Sequence, residues 1–193
     1  MRECKSISTV IKPDYFKTIK SINKESLSSL EEIYNRLSSN VWSIENARKE
    51  NDFSCFHHTQ HVIFRFIRNF GDPRDFYDNP IWSIFKHLLL PIMNEVAVCY
   101  GFKNPVYPKV MLAKLDAHSY INAHYDGAGS NLKTHKIHIP LITAPEVLMS
   151  ICGKTMHLER GLAYEVNNIK LHSVENRSDQ PRVHLIFEVF DNQ

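Results

Sequence analysis

The chain has 193 residues, of which 43% are hydrophobic and 23% are charged. This length and composition suit one soluble globular domain with an ordinary core, spanning residues 1–193. The net charge of +2, without a basic stripe or charge block, excludes the electrostatic footprint of a nucleic-acid-binding protein, so we expect no nucleic-acid partner.

Cysteine usage and the lack of targeting segments indicate where the protein works. The four widely separated cysteines contain no Cys-x-x-Cys pair and predict buried, reduced thiols; they are Cys4, Cys55, Cys99 and Cys152. The N-terminus lacks the apolar core of a secretion signal, and no run is expected to approach the roughly 18 apolar residues of a membrane span. We therefore expect a cytoplasmic protein without a membrane partner.

The first part of the chain, to about residue 105, predicts a supporting region of helices and a few strands. Residues 1–23 predict an edge strand and a connector. Apolar residues at helical spacing predict an amphipathic helix over Lys24–Ser38. A polar passage over residues 43–52 precedes Phe53–Phe70, in which the β-branched and aromatic residues of Thr59–Phe66 predict a strand.

Turn-forming residues over 71–80 lead to a second helix, predicted over Ile81–Tyr100. Pro80 suits its first turn and Gly101 its cap. Pro91 is expected to kink this helix or split it in two, because proline removes a backbone donor and crowds the preceding turn.

From about residue 106 to residue 190, short apolar runs alternate with polar or Gly/Pro turns and show no helical period. This pattern predicts an antiparallel barrel or sandwich. The predicted strands are Tyr107–Leu115, Tyr120–His124, His135–Ile142, Val147–Ile151, Thr155–Leu158, Leu162–Val166, Leu171–Val174 and Arg182–Phe190. We therefore predict a mainly β fold, a cupin-like jelly roll that carries the metal site, with the N-terminal helices packed on one sheet.

The segment Ile121–Asp126 holds a candidate metal site, because His124 and Asp126 lie two residues apart and project from one face of a strand. About one such His-x-Asp/Glu pair is expected by chance, and a second pair occurs at His157 and Glu159. We favour the first pair, because His172 follows His124 by 48 residues, an interval that suits a site built across the mouth of a jelly roll.

Two imidazoles and one carboxylate leave three positions of an octahedral ion open, as in non-haem Fe(II) oxygenases. A catalytic zinc in a hydrolase, a structural metal and ordinary core histidines remain alternatives.

Two predicted strands repeat one pattern, a basic residue followed two positions later by histidine. Lys136 and His138 share one face of the first strand, and Arg182 and His184 share one face of the second. An inward guanidinium needs an anion, and its planar fork would grip a carboxylate; the alternative is that these cations face solvent. We therefore predict that the site holds a carboxylate, gripped by Arg182, with Lys136, His138 and His184 lining the same site.

A compound that chelates a metal at one end and offers a carboxylate at the other is 2-oxoglutarate. Its C1 carboxylate and 2-oxo group would take two of the three open positions, its C5 carboxylate would reach Arg182, and the last position would take O₂.

From about Trp42 to Val189 the chain resembles the aspartyl/asparaginyl β-hydroxylase-like family of Fe(II)/2-oxoglutarate oxygenases, which includes bacterial hydroxylases of free amino acids such as proline. The resemblance rests on Ile121–Asp126, His135–Leu141, Gly161–Asn168 and His172–Phe187. It implies a double-stranded β-helix, iron at His124, Asp126 and His172, and 2-oxoglutarate held by Arg182 with help from His138 and Lys136.

The chain departs from the family pattern at two places. The family usually has Arg at the position of Lys136, and Pro-Gly where this chain has Ala117 and His118. Asp126 is present where some related oxygenases have Gly, which favours hydroxylation over halogenation.

The resemblance implies that 2-oxoglutarate is decarboxylated to succinate and CO₂ while an unactivated C–H bond is hydroxylated. With no spare domain to grip a protein, a small amino-acid-like substrate is favoured, and a peptide or carrier-bound one is possible. The alternatives are hydroxylation of Asp or Asn in a protein substrate and a non-redox, cupin-like metal-binding or isomerase module.

Overall fold

Strands dominate the architecture of the protein, a computed structural model of which describes residues 7–50, 53–68 and 71–192. In these ranges the strands are β1 Phe16–Ser21, β2 Thr59–Ile67, β3 Phe76–Asp78, β4 Pro105–Leu115, β5 Ser119–His124, β6 His135–Ile142, β7 Val147–Ile151, β8 Lys154–Met156, β9 Leu162–Val166, β10 His172–Asn176 and β11 Arg182–Asp191. The helices are α1 Lys24–Arg36, α2 Ser39–Ala47 and α3 Pro80–Ala97, and short 3₁₀ turns cover Ser54–Phe56, Val98–Tyr100 and Gly129–Leu132.

The strands form two antiparallel sheets. The larger sheet has the order β1-β9-β6-β11-β4-β2-β3, and the smaller one has the order β5-β10-β7-β8. Their facing sides share an apolar cluster that includes Leu115 and Val166 from the larger sheet and Ile121 and Met149 from the smaller one. This arrangement confirms the predicted jelly roll, and each of its eight predicted strands lies within two residues of the observed bounds.

The helices cover the outer face of the larger sheet, as predicted. Leu30 of α1 and Ile92 of α3 are fully buried and share one apolar core with Leu185 and Phe187 of β11. The strand is therefore buried on both faces, which explains its almost unbroken apolar sequence. Its alternate residues point to the inner face, toward the smaller sheet, and it is this inner face that carries the polar groups described below.

Helix α3 continues through Pro91, so the predicted split at this residue is wrong. Pro91 lies on the exposed side of the helix, where water can reach the carbonyl that loses its donor. Gly101, at φ 68°, ends the following turn as predicted, and its N–H donates to the Val98 carbonyl at 3.1 Å.

Residues Pro80–Tyr100 are long and apolar enough to cross a membrane by length and composition, so the expectation that no run approaches such a span is wrong. Leu89, Ile92 and Met93 from this stretch are fully buried in the protein core. Burial against a sheet selects the same apolar composition as lipid does, and α3 is accounted for as a core helix.

Two elements were not predicted. Helix α2 covers the first half of the polar passage; it is capped by the Ser38 hydroxyl, which accepts from the Val41 N–H at 3.3 Å, and is anchored by the buried Trp42. A helix with one buried residue shows no apolar periodicity in its sequence, which is why this pattern does not predict α2. Its stability depends on its N-cap and on the packing of Trp42. Strand β3 is three residues long, and among the described strands it pairs with β2 alone.

The prediction of buried thiols is wrong for the described cysteines. Cys99 and Cys152 are exposed and Cys55 is half-buried, whereas Cys4 lies outside the described residues. Cys99 lies in the 3₁₀ turn Val98–Tyr100, and Cys152 lies in the turn between β7 and β8. The predicted edge strand within residues 1–23 is β1, at one edge of the larger sheet.

Candidate active site

Side chains from two distant parts of the sequence meet where β5 ends and β10 begins. His124 and His172 are register partners in the smaller sheet, and Asp126 follows His124 by two residues. The Nε2 atoms of His124 and His172 lie 3.5 and 3.7 Å from Oδ1 of Asp126, and the three potential ligand atoms all lie within 4.8 Å of one another. One metal ion could therefore contact all three.

Backbone carbonyls orient both imidazoles. Nδ1 of His124 lies 2.7 Å from the Asn122 carbonyl oxygen, and Nδ1 of His172 lies 2.9 Å from that of Lys170. A carbonyl can only accept, so Nδ1 carries the proton in both rings and Nε2 keeps its lone pair toward Asp126. Burial lowers the pKa of His172 to about 4, which keeps this ring in the neutral form that a metal ligand requires.

The carboxylate of Asp126 is held in its charged form. Its Oδ2 accepts hydrogen bonds from the Lys136 ammonium and, at 3.0 Å, from the Asn168 side-chain amide. Burial alone would raise the pKa of Asp126, but the charge of Lys136 holds it well below its ordinary value. Lys136 and Asn168 therefore occupy one carboxylate oxygen and leave Oδ1 facing the imidazoles.

The competing His157 and Glu159 pair does not join a ligand cluster. Nδ1 of His157 lies 3.0 Å from the Val147 carbonyl oxygen. Within the described ranges, the group with ligand spacing is the one made by His124, Asp126 and His172. The fold therefore joins His172 to the pair formed by His124 and Asp126, as the sequence spacing predicts.

The two basic-x-His pairs face the space between the sheets. Arg182 is 2% exposed, and its Nη2 lies 2.9 Å from Nδ1 of His184, which lies 3.4 Å from Nδ1 of His138. Burial lowers the pKa of Arg182 to about 9, and no carboxylate of the described residues forms an ion pair with it. Arg182 Nε and His138 Nε2 are buried without hydrogen-bond partners. The orphaned N–H of the Arg182 guanidinium fits an anionic ligand.

A cavity of about 560 Å³ joins the triad to Arg182. Lys136 and His138 also line this cavity, and Lys136 donates a hydrogen bond to Asp126. His184 contacts the guanidinium of Arg182 and does not line the cavity. The ring of Phe56 packs edge-on against His124, with 5.1 Å between centroids, and covers one side of the triad.

Several cavity residues were not predicted from the sequence. They are Asn168, Asn131, Lys109 and Glu188. Glu188 lies in phase with Arg182 and His184 along β11, and Lys109 is a charge within an otherwise apolar run, so strand alternation could have indicated both. No sequence pattern indicates Asn131 and Asn168, because both lie outside the strands and their position in the cavity depends on the conformation of their loops.

A family model described as "Aspartyl/Asparaginyl beta-hydroxylase" matches residues 90–192, more than half of the chain. No curated protein sequence matches the chain significantly.

Solved structures share the fold at low sequence identity. The non-haem alpha-ketoglutarate-dependent epimerase SnoN from nogalamycin biosynthesis is 12% identical with a TM-score of 0.60, covering 92% of this chain and 77% of that one. AviO1 from Streptomyces viridochromogenes is 15% identical with a TM-score of 0.59 (94% and 91% covered). A 2OG-Fe(II) oxygenase family protein from Burkholderia pseudomallei is 13% identical with a TM-score of 0.54 (87% and 93% covered).

The match to a hydroxylase family, together with the jelly roll and its His-Asp-His group, defines the protein as an oxygenase. Within that class, the chain belongs to the aspartyl/asparaginyl β-hydroxylase family. The family resemblance read from the sequence motifs is confirmed.

Proposed function

We propose that this protein hydroxylates an unactivated C–H bond of a small, amino-acid-like or peptidyl substrate, consuming 2-oxoglutarate and O₂ at Fe(II) and releasing succinate and CO₂. The observation that carries the proposal is Arg182, a buried guanidinium without a carboxylate partner among the described residues, in one cavity with the His-Asp-His triad. A buried charge is costly unless it is paired, so the site calls for an anionic ligand.

The donor set fits the metal. His124, Asp126 and His172 would hold Fe(II) through two neutral nitrogens and one carboxylate oxygen, leaving positions for other ligands. When bound, Fe(II) and 2-oxoglutarate supply the oxidation: the co-substrate loses CO₂, one oxygen atom of O₂ enters succinate and the other enters the substrate as a hydroxyl group.

Other residues of the cavity would orient the co-substrate and the metal ligand Asp126, and would limit the access of water. Arg182 would bind the C5 carboxylate of 2-oxoglutarate, and the lone pair of His184 Nδ1 fixes the direction of its guanidinium. Lys136 and Asn168 keep Asp126 ionised and turned toward the metal position. Phe56 limits water access beside His124.

Co-substrate binding tests the proposal without knowledge of the substrate. The melting temperature of the full chain would be measured with Mn(II), an inert substitute for iron, with 2-oxoglutarate, and with both. We expect 2-oxoglutarate to raise the melting temperature only when Mn(II) is present, because its C1 carboxylate and 2-oxo group would bind through the metal. A ligand at about 100 times its dissociation constant stabilises the folded state by about 2.7 kcal/mol. Arg182→Met should remove the 2-oxoglutarate response and keep the response to metal.

Arg160→Met is the matched control, because Arg160 is half-exposed and pairs with Glu31 on the surface. A response to metal without any response to 2-oxoglutarate would support the cupin-like alternative instead. Zinc in the purified protein, without oxygen uptake, would support a hydrolase.

The reaction itself is tested by succinate formation with Fe(II) and ascorbate, screened against free amino acids, short peptides and Asp- or Asn-containing protein fragments. We expect a small compound to stimulate succinate formation and to gain one oxygen atom by mass. If only protein fragments stimulate succinate formation, the substrate is a protein and not a small molecule. If 2-oxoglutarate binds but none of the tested compounds gives succinate, the proposed hydroxylase activity is wrong.

A further inference from the structure

A row of three charged residues crosses the cavity wall on three adjacent strands. Lys136 on β6 is the register partner of Glu188 on β11, and Glu188 is the partner of Lys109 on β4. All three side chains line the cavity. Lys136 is engaged with Asp126, which leaves Lys109 and Glu188 without a role in the proposed metal and co-substrate sites.

Lys109 and Glu188 form a buried ion pair in which the lysine is the reachable partner. Lys109 Nζ lies 2.9 Å from Oε1 of Glu188 and 3.2 Å from Oδ1 of Asn131, and Oε2 of Glu188 accepts from the Thr134 hydroxyl at 2.8 Å. The Lys109 side chain is 10% exposed and that of Glu188 is 2% exposed. An ammonium has three donors, so Lys109 keeps one for the cavity, whereas both oxygens of Glu188 are engaged.

Six positions along β11 separate Arg182 from Glu188, which corresponds to about 20 Å of extended strand between their backbones. A 2-oxoglutarate molecule that chelates the metal at one end and meets Arg182 with its C5 carboxylate has no charged group left for Lys109. Lys109 therefore remains available to a second molecule.

The charge balance of the cavity favours a negatively charged second molecule. Its lining has three cations, Lys109, Lys136 and Arg182, against two carboxylates, Asp126 and Glu188. Fe(II) carries two positive charges, and the 2-oxoglutarate dianion carries two negative charges. Binding both therefore leaves the net positive charge of the cavity lining unchanged. Lys12 adds another cation behind the triad, where it donates to Asn168 Oδ1 at 2.9 Å.

The wall beside Lys109 is apolar. Phe66, Met111 and Ile186 form one buried cluster that lines the cavity, and Lys109 Nζ lies 5.8 Å from the centre of the Phe66 ring. A molecule whose anionic group meets Lys109 would lay an apolar body against these three side chains.

We propose that the substrate is a carboxylate-bearing small molecule with an apolar body, and that Lys109 is the specificity-determining residue that binds its carboxylate. Glu188, Asn131 and Thr134 are positioning residues that hold the ammonium in place. This inference rests on the proposed function and names the substrate class of the same site.

The test compares acids with their amides. The full chain, loaded with Mn(II) and saturating 2-oxoglutarate, would be titrated with leucine, valine, proline and phenylalanine, with their N-acetyl derivatives, and with their primary amides. We expect at least one free acid and its N-acetyl derivative to bind about tenfold tighter than the amide, because a charge-assisted hydrogen bond is lost in the amide. The same preference should appear as stimulation of succinate formation with Fe(II).

Lys109→Met should abolish the preference for acids. Because this change leaves Glu188 buried and unpaired, the double variant Lys109→Met with Glu188→Gln provides a neutral pair that can fold. Its melting-temperature response to 2-oxoglutarate with Mn(II) reports that the rest of the site is intact. Lys114→Met is the matched control, because Lys114 lies on the same strand, faces the helices and packs over Trp42.

Equal binding of acids and amides, including no binding of either, overturns the inference, and so does an acid preference that survives in the double variant. The failure of the proposed function is a different result: the wild-type chain would then show no Mn(II)-dependent response to 2-oxoglutarate before any acid is added.

Discussion

Nη2 of Arg182 lies 2.9 Å from Nδ1 of His184, two residues further along β11. A guanidinium can only donate, so His184 accepts through Nδ1 and its ring is neutral. Burial and the charge of Arg182 both lower the pKa of His184 well below its ordinary value. The strand thus carries a cation together with the acceptor that fixes the direction of that cation.

Removing this acceptor should weaken co-substrate binding without affecting metal binding. We expect His184→Leu to raise the dissociation constant of 2-oxoglutarate about tenfold, because the guanidinium loses the contact that orients it. Calorimetric titration in the presence of Mn(II) measures this value. His87→Leu, an exposed change on α3, is the control, and an unchanged dissociation constant in His184→Leu would contradict the orienting role.

The triad should be required for metal binding. Replacing His124, Asp126 or His172 with Ala removes one of three ligands, and we expect each variant to lose more than about 100-fold in affinity for Fe(II) or Mn(II). Metal content after dialysis and competition with a chelator provide the measurement. His157→Ala, from the competing sequence pair, should bind metal as the wild-type protein does; a loss there would place the site elsewhere.

Asn168 should matter although it is not one of the three ligands. Its amide donates to Asp126 at 3.0 Å and to Asn131 at 3.2 Å, and its side-chain oxygen accepts from Lys12. We expect Asn168→Ala to lower metal affinity about 10-fold, because Asp126 loses a donor that orients it. Asn35→Ala, on the exposed side of α1, is the control. A drop in stability without a change in metal affinity would make Asn168 a purely structural residue.

The buried His61 should make the protein acid-sensitive. Burial lowers its pKa from 6.5 to about 3, so between these values the unfolded chain binds a proton that the folded chain does not. Stability therefore falls as the pH drops below 6.5, and His61 alone contributes about 2 kcal/mol of loss by pH 5. We expect His61→Leu to lose about 2 kcal/mol less than the wild-type protein between pH 7 and pH 5.

Urea unfolding of the metal-free chain at both pH values measures this difference. Nδ1 of His61 has no hydrogen-bond partner among the described residues, so the substitution strands no partner of this nitrogen. His87→Gln is the exposed control, and equal pH dependence of the wild-type and His61→Leu proteins would show that His61 does not titrate as expected.

Local patterns predicted the elements that have a clear period. The strands of the jelly roll were predicted because alternation and turn residues are local properties, and α1 was predicted from its apolar spacing. The sequence does not predict helix α2 and strand β3, because their formation depends on what they pack against. Trp42 gives α2 a single buried anchor, and β3 pairs with β2 alone within the described part of the chain.

The candidate site divides in the same way. The sequence by itself determined the residue types, the His124 and Asp126 spacing and the inward phase of Arg182 and His184, because these follow from the two-residue period of a strand. Only the tertiary structure brought His172 into register with His124 and beside Asp126, and only it showed that Lys136 holds this carboxylate. It also paired Lys109 with Glu188. Such contacts depend on the register between strands that are distant in sequence, and register is a property of the folded sheet.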